Sequence, residues 1–562
     1  MSIWRKRYTL NENEQSLSLI ERLHISRGIT KDQDLKKFMH RSPNQFLNPS
    51  LLKDLDHAVE RLLKAKDANE SILIFGDYDV DGTTSVSMVY GYLRDLGFKV
   101  EYYIPDRYKE GYGFSMTGAM YAIEHAYNLV ITLDCGVKDG ERIKLCQEQG
   151  IDVIVCDHHT PGELPSACAI INPKRHDCLY PNKGLSGCGV GFKLLQGLTR
   201  SLDLSENKLY YYLDFVALST AADIVPFTEE NQLFVYFGLR VMNKKLRPGL
   251  EAMFKLSSSK STNIGVQEMV FIFAPRINAA GRIFAGKRSV DLMLSHDIES
   301  AMLIAKEIET YNKERRFLDQ EIAHEAFEQI ASDSYHKNSA VTIVKKEGWH
   351  KGVVGIVASR LIEKIYKPTL VLTELDGVIS GSARSIPGID MYESLQACSE
   401  LLTQYGGHTM AAGLSLPAEN YELFRQKFND VIQEQAKGEL FERVQNFDEV
   451  IQLTEINMDL YNKIQLLSPF GPEMEEPIFQ TKNLVDTGYT RTVGSDKSHL
   501  SLSLQEANTG KIMKGIFFKG AESLALVQSK QPIDILFKLT LNNWNNEENI
   551  ELEIKDLRLS GC

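Results

Sequence analysis

The stretch SILIFGDYDVDGTTSV sets three carboxylates, Asp77, Asp79 and Asp81, two residues apart just after an apolar run. Wherever the chain is extended, that spacing turns alternate side chains to one face. Three converging carboxylates repel one another unless a cation sits among them, and the segment offers no Lys or Arg for the purpose, so the pattern calls for metal. Calcium is one candidate, because DYDVDG matches the opening of an EF-hand loop down to the glycine at its sixth position. The twelfth position should then be a bidentate Glu; counted from Asp77 it is Met88, and the run before the loop is strand-like, which removes calcium.

Two further apolar runs end in the same manner: LVITLDCG presents Asp134, and IDVIVCDHH presents Asp157, His158 and His159. A single Asp after a strand is ordinarily a helix cap. Three strands ending alike point to one crevice, because the carboxyl ends of strands in an open parallel sheet meet at one edge. In extended chain the adjacent rings of His158 and His159 face opposite ways, so one is expected to bind metal while the other orients water or phosphate. Asp157 is placed to hold a histidine in its working tautomer. FVALSTAADIVPF adds Asp223 after a helical stretch, where it reads equally well as a plain loop residue. Oxygen ligands with one imidazole suit Mn2+ or Mg2+ better than a thiolate-seeking zinc site.

The elements that must position these residues follow from hydrophobic patterning. SILIF (71–75), LVITL (129–133) and IDVIV (151–155) alternate with amphipathic helical patterns, which predicts βαβ units and a parallel sheet. Residues 207–290 continue as mostly helix. From Asp297 to Ser332 there is no Gly or Pro, and apolar residues recur near helical spacing, so one helix of roughly 50 Å is expected, bridging two lobes. A second α/β unit follows, with AVTIV (340–344), the turn EGWHKGVVG, a helix and then TLVLTE. From about Phe447 short strands with turn signals suggest a small barrel or sandwich. The expected architecture is a parallel-sheet catalytic domain with the N-terminal region (1–296), a long connecting helix (297–332), a second α/β domain (333–436) and an all-β C-terminal barrel (437–562).

At 562 residues the chain has room for three or four domains, and 43% hydrophobic with 25% charged residues is ordinary for a soluble globular protein. No apolar run approaches the ~18 residues of a membrane span and no leader opens the chain, so the expectation is a cytoplasmic protein with no membrane partner. Eight cysteines without a CxxC pair read as isolated reduced thiols rather than a zinc or iron–sulfur site. The net charge of −12 argues against a basic nucleic-acid coat. Between Tyr236 and Val290, however, ten Lys or Arg stand against two Glu, which makes either a phosphate-facing surface or a solvated basic face.

With these residues in hand, the chain resembles the DHH phosphoesterase superfamily and, within it, the bacterial single-strand-specific exonucleases. DYDVDGTTS, LDCG, VCDHH and ADIVP look like the four motifs of the superfamily in order. IPDRYKEGYG (104–113), PRINAAGRI (275–283), SGSARSI (380–386) and YGGHTMAAG (405–413) resemble further segments of the exonuclease branch. The resemblance implies a DHH domain, a DHH-associated domain and an oligonucleotide-binding barrel. Carried over by motif position, one manganese or magnesium ion would use Asp77, Asp79 and Asp134. The other would use Asp81, Asp134, His158 and Asp223, with Asp134 bridging. His408 and the neighbouring Gly407 would meet the scissile phosphate, beside Asp157 and His159. Ser382, Arg384 and Arg107 would contact phosphate near the 5′ end, and Arg276, Asn278 and Arg282 would line the path of the strand.

The activity implied is two-metal hydrolysis of single-stranded DNA to mononucleotides from the 5′ end, in repair and recombination. A monomer is expected, served by a single-strand-binding protein and a RecQ-type helicase. Strand aromatics Phe479, Tyr489, Phe517, Phe518 and Trp544 are candidates for base stacking, although most strand aromatics point inward. Two rivals are a phosphodiesterase for short oligoribonucleotides or cyclic dinucleotides, and a non-catalytic single-strand-binding scaffold. The basic stretch and the strand-rich C-terminal part favour a polymer substrate, and the presence of all six proposed ligands favours catalysis.

Overall fold

The computed structural model describes residues 2–9, 11, 14–30, 32–259, 261–283, 286–437, 441–544 and 547–561, the side chains of 15, 32–34, 282, 283, 543, 544 and 547 excepted. The chain forms two compact units, residues 49–223 with 238–443, and residues 1–48 with 224–237 and 444–562.

In the first unit the apolar runs become strands β1 (Ser71–Gly76), β2 (Lys99–Tyr103), β3 (Leu129–Leu133), β4 (Asp152–Cys156) and β5 (Ala169–Ile171). They pair in parallel in the order β2-β1-β3-β4-β5. Helices cover both faces, so β1, β3 and β4 are continuously rather than alternately apolar. Strand order reverses about β1 and β3, and in such a sheet the ligand crevice opens beyond the carboxyl ends at that point. Asp77 and Asp134 come directly after those two strands.

Helices α1 (Val80–Asp95), α2 (Gly187–Ser201) and α3 (Leu213–Ala222) pack on one another beside this sheet. The hydroxyls of Thr83, Thr84, Ser85 and Ser87 in α1 donate to carbonyls one turn back, at 2.5 to 2.7 Å, which satisfies polar groups that have no access to water. Helix α4 (Ala274–Ile283) follows. Then comes the long helix anticipated from the sequence, α5 (Ile298–Ser332), 35 residues without a break and capped by Asp297, whose carboxylate accepts from the Ser300 amide at 2.8 Å. It packs on α4 and on α6 (Lys351–Ile365), and so joins two lobes.

The second lobe is a mixed sheet of β6 (Thr342–Glu347), β7 (Thr369–Leu375), β8 (Val378–Arg384), β9 (Gln404–His408) and β10 (Ala411–Pro417). The order is β9-β10-β8-β7-β6, with only β6 and β7 parallel. Val344 and Val371 on one face pack on α6 and on Ile322, Ala323 and Ala326 of α5. Ile343, Leu370, Leu372 and Ile379 on the other meet Phe424 and Phe428.

The second unit is a closed barrel, not a sandwich. Strands Phe479–Asp486, Ile533–Trp544, Glu547–Leu559, Ile512–Phe517 and His499–Glu506 pair in turn, and Leu484 then pairs with Glu506 to close the ring. Its core includes Phe479, Leu502, Ile535, Phe537 and Ile554, and Leu23 from near the start of the chain. Strand Ile3–Lys6 pairs in parallel with Val444–Phe447. A boundary that keeps the first residues with the catalytic domain misses this pairing, which spans most of the chain and leaves no local pattern. Of the aromatics considered for stacking, Phe479 is core and Phe517 partly buried, whereas Tyr489 and Phe518 are 80% and 54% exposed. The Trp544 side chain lies outside the described residues.

Candidate metal centre

Strand β1 ends at Gly76 and α1 begins at Val80, so the three aspartates do not lie along an extended strand as their spacing suggested. They straddle a tight strand-to-helix turn. Only glycine fits at position 82, where a Cβ would stand 2.4 Å from the Asp77 carbonyl oxygen. Asp79 caps α1, accepting the Gly82 amide at 3.1 Å. Asp81, in the first helical turn, is tied to α2 and α3: it accepts the amides of Gly187 and Cys188 at 2.6 and 2.7 Å and the Ser219 hydroxyl at 2.7 Å. The turn, not strand alternation, brings the carboxylates together.

Asp134 takes a left-handed conformation, φ 61°, with its amide on the Cys156 carbonyl at 2.9 Å. Asp157 accepts the amides of His158 and His159 at 2.7 and 2.9 Å, His159 Nδ1 at 2.8 Å and the Val137 amide at 2.9 Å. Burial opposes its charge, yet the His159 ring and these amides hold the carboxyl below the usual range. Asp157 therefore orients its neighbours. His158 Nε2 stands 3.1 Å from Asp134, 3.6 Å from Asp81 and 3.6 Å from Asp223, which closes α3.

Three groups of ligand atoms fall within 4.8 Å of one another: Asp77, Asp79 and Asp134; Asp81, His158 and Asp223; and Asp134, His158 and His159. The third corrects the expectation that adjacent histidines diverge. Extended chain ends at Cys156, and beyond it the backbone bends around Asp157 so that the two rings lie 4.6 Å apart.

The chemistry of the donors fits divalent cations. Asp77 Oδ1, Asp134 Oδ1 and both ring nitrogens of His158 are buried without a hydrogen-bond partner. Burial, and then repulsion from neighbouring carboxylates, pushes Asp77, Asp134 and Asp223 well above the usual carboxylate range. Burial also holds the His158 imidazole low, in the neutral form a ligand requires. Acids that cannot ionise together, unclaimed lone pairs and a neutral imidazole form a set that hard cations complete.

The second lobe supplies further groups. His408 ends β9 and is exposed; partial desolvation, and then the charges of Lys138, His159 and Lys174 of the first lobe, depress its imidazole. Gly407 has φ 149°, and a Cβ there would strike the Ala411 carbonyl at 2.4 Å. Ser382 and Arg384 share a face of β8. They occupy space opened by Gly355 of α6, whose missing Cβ would lie 3.2 Å from Ser382 Oγ and 2.9 Å from Arg384 Nη2. Burial and the charge of Arg107 depress the Arg384 guanidinium. Arg107 itself lies over the Tyr78 ring at 4.9 Å.

Arg276 is buried and paired with Glu309 at 2.7 Å, Asn278 is half-buried, and the Arg282 side chain lies outside the described residues. Of the ten cations between Tyr236 and Val290, Arg247, Lys255, Arg276 and Arg288 pair with Asp214, Glu251, Glu309 and Glu307. Much of that basic stretch serves the fold.

Sequence reasoning missed several neighbours. Tyr112 places its hydroxyl 3.2 Å from the Asp134 carbonyl and 3.0 Å from His159 Nε2. Its loop is clasped by Glu110, which accepts Ser115 Oγ at 2.6 Å and the Asp106 amide at 2.8 Å. Asn172 donates to the His159 carbonyl at 2.9 Å. The signal available for Tyr112 was its position between two glycines in EGYG.

A parallel sheet with this acidic cluster at its switch point, a second α/β lobe and a small barrel define a phosphoesterase of the DHH class. Family models described as "DHH family, N-terminal domain", "DHHA1 domain" and "RecJ OB domain" match residues 71–220, 337–434 and 447–556. The chain belongs to the RecJ family of single-stranded-DNA-specific exonucleases. RecJ of Bacillus subtilis is 36% identical over 555 residues, 98% of this chain and 69% of the relative. RecJ of Dickeya dadantii is 33% identical over 96% of both chains. A crystal structure of RecJ from Thermus thermophilus in complex with Mn2+ matches with a TM-score of 0.84 at 26% identity, over 100% of this chain and 80% of that one.

Proposed function

We propose that the protein is a two-metal exonuclease that degrades single-stranded DNA from the 5′ end to mononucleotides, in repair and recombination. The observation that carries this reading is the cluster of Asp77, Asp79, Asp81, Asp134, His158 and Asp223 at the switch point of the sheet, with Asp79 and Asp223 half-buried and the others buried. Kinship over nearly the whole chain with exonucleases named as single-strand-specific supports the substrate, and RecJ structures described with Mn2+ and with Mg2+ support the metals.

Asp77, Asp79 and Asp134 would hold one ion, and Asp81, Asp134, His158 and Asp223 the other. Two such ions, when bound, neutralise phosphoryl oxygens and make a water molecule nucleophilic at neutral pH. The chain's own residues do the rest. Asp157 accepts the hydrogen bond of His159 Nδ1–H, which leaves the His159 Nε2 lone pair free to accept a proton. His408 and the Gly407 amide approach the scissile phosphate from the second lobe. Arg107, Ser382 and Arg384 receive the 5′-terminal phosphate, and Arg276, Asn278 and Arg282 border the strand beyond it. The 5′ to 3′ polarity rests on family membership.

A single-strand-binding protein and a RecQ-type helicase are the partners this reading implies, with the protein acting as a monomer in the cytoplasm. Among the described residues no helix is long and apolar enough to cross a membrane. The test is digestion of end-labelled DNA in Mn2+. The reading expects early release of a 5′ label as mononucleotide and sparing of blunt duplex. Digestion from the 3′ end, or turnover of short oligoribonucleotides or cyclic dinucleotides alone, overturns it.

A further inference from the structure

Where α5 passes between the lobes it carries Glu309, Asn312, Arg315 and Asp319 on one face, at spacings of three and four. The two carboxylates each take a cation from a different lobe. Glu309 pairs with Arg276 of α4 at 2.7 Å, and Asp319 pairs with Arg360 of α6. Asn312 is fully buried, and its Oδ1 accepts Arg315 Nη2 at 3.0 Å.

Arg315 is different. Among the described residues it has no ion pair, and its Nε is buried without a hydrogen-bond partner. The nearest attraction, Asp319, is engaged by Arg360, while Arg316, Arg360 and Arg276 all repel it. A half-buried guanidinium ringed by like charges is unfavourable without an anion, and its planar fork matches a phosphate.

The location suits the strand. A Cβ on Gly281 of α4 would lie 2.4 Å from the carbonyl of Tyr78, between Asp77 and Asp79. Arg276 stands five residues earlier in α4, about 7.5 Å along the axis at ~1.5 Å per residue. Glu309, the partner of Arg276, stands six residues before Arg315, about 9 Å along α5 at ~1.5 Å per residue, and the two guanidinia repel.

We propose that Arg315, presented by Asn312, binds an internal phosphodiester of the single strand beyond the scissile bond, a subsite separate from the 5′-phosphate contacts. This rests on the single-strand reading above. The test uses the full chain in Mn2+ with a long single strand, comparing wild type, Arg315→Gln and Arg315→Lys. Arg315→Gln is expected to raise KM by roughly tenfold, with a smaller effect on kcat. It should also flatten the dependence of log KM on log salt by about 0.7, the loss of one phosphate contact on a single strand. Arg315→Lys should keep the wild-type salt slope.

A KM and salt slope unchanged in Arg315→Gln, with only the melting temperature lowered, overturns the proposal and leaves Arg315 a packing residue. A slope lost in Arg315→Lys also overturns it. If the wild type itself does not digest single strands, the functional reading fails rather than this inference.

Discussion

Gly187, the first residue of α2, lies so close to Asp134 that a Cβ on it would stand 2.7 Å from the aspartate's own Cβ. The same glycine donates its amide to Asp81 at 2.6 Å. One backbone position thus sets the spacing between the two carboxylates. Gly187→Ala must displace Asp134 or lift α2, and a shift of ~1 Å in a catalytic group can cost about 100-fold in rate. The expected outcome is a loss of that order in kcat. Gly189→Ala, whose Cβ would meet its neighbours at 3.5 to 3.6 Å, should lose little activity and serves as the control.

Asp134 belongs to two of the three ligand groups and carries repulsion from Asp81, Asp79, Asp223 and Asp77. Removing its charge relieves that repulsion and, on the two-metal reading proposed above, removes the ligand that both ions would share. In EDTA, Asp134→Asn is expected to melt higher than the wild type. Addition of Mn2+ should raise the wild-type melting temperature, by about 2.7 kcal/mol of stabilisation per site at ~100 times Kd, and leave the variant almost unmoved. Cleavage should disappear while binding of single-stranded DNA persists. A variant that still responds to Mn2+ and cleaves would exclude the shared-ligand scheme.

Asp157 has no free role as a ligand, because three amides and the His159 ring occupy its oxygens. Asp157→Asn keeps the shape but replaces the charged acceptor of His159 Nδ1–H by a neutral one and turns an NH2 against the Val137 amide, so His159 is held less firmly. A fall in kcat of roughly 100-fold is expected, with KM changed less. Steady-state kinetics on one oligonucleotide would separate the two. An equal fall for Asp157→Asn and Asp134→Asn would instead assign Asp157 to the metals.

Arg247 is buried against Asp214 and lies 4.0 to 4.6 Å from the rings of Tyr211, Phe215 and Tyr212. Arg247→Ala strands a buried carboxylate, and a loss of about 3 to 5 kcal/mol is expected in urea unfolding. Replacing both partners by apolar residues should recover much of it.

His336 has an imidazole depressed by burial, which outweighs the attraction of Asp333. The unfolded chain therefore binds a proton more readily than the folded one. The stability this histidine contributes is complete above its unfolded pKa of ~6.5 and is lost as pH falls through its lower folded value. Resonances of His336 should titrate below the ordinary histidine range, and His336→Gln should lessen the acid sensitivity of the melting temperature.

The metal site was legible because its residues stand at the ends of apolar runs, a local signal, and because their types admit few other uses. The same is true of α5, where the absence of Gly and Pro over a long periodic stretch left one interpretation. What escaped was set by tertiary geometry. The convergence of Asp77, Asp79 and Asp81 depends on a turn between β1 and α1 that residue spacing alone misdescribes. The two histidines converge because the chain bends at Asp157. Tyr112 and its anchor Glu110 lie in IPDRYKEGYG, a segment the resemblance singled out, but nothing in it says which groups either side chain touches. A tally of charge overstates what the basic stretch leaves free, because the pairing of Arg247, Arg276 and Arg288 with Asp214, Glu309 and Glu307 is invisible until the helices pack.

The pairing of Ile3–Lys6 with Val444–Phe447 also orders events during synthesis. Every residue of the unit that carries the metal cluster lies before Val444. That unit can therefore close while the barrel is still being translated. Strand Ile3–Lys6, by contrast, must wait for Val444–Phe447, made tens of seconds later at about 5 to 20 residues per second. A strand made early is thus among the last to find its place, and a ribosome that stalls before Val444 leaves the body that carries the acidic cluster with an unmatched strand.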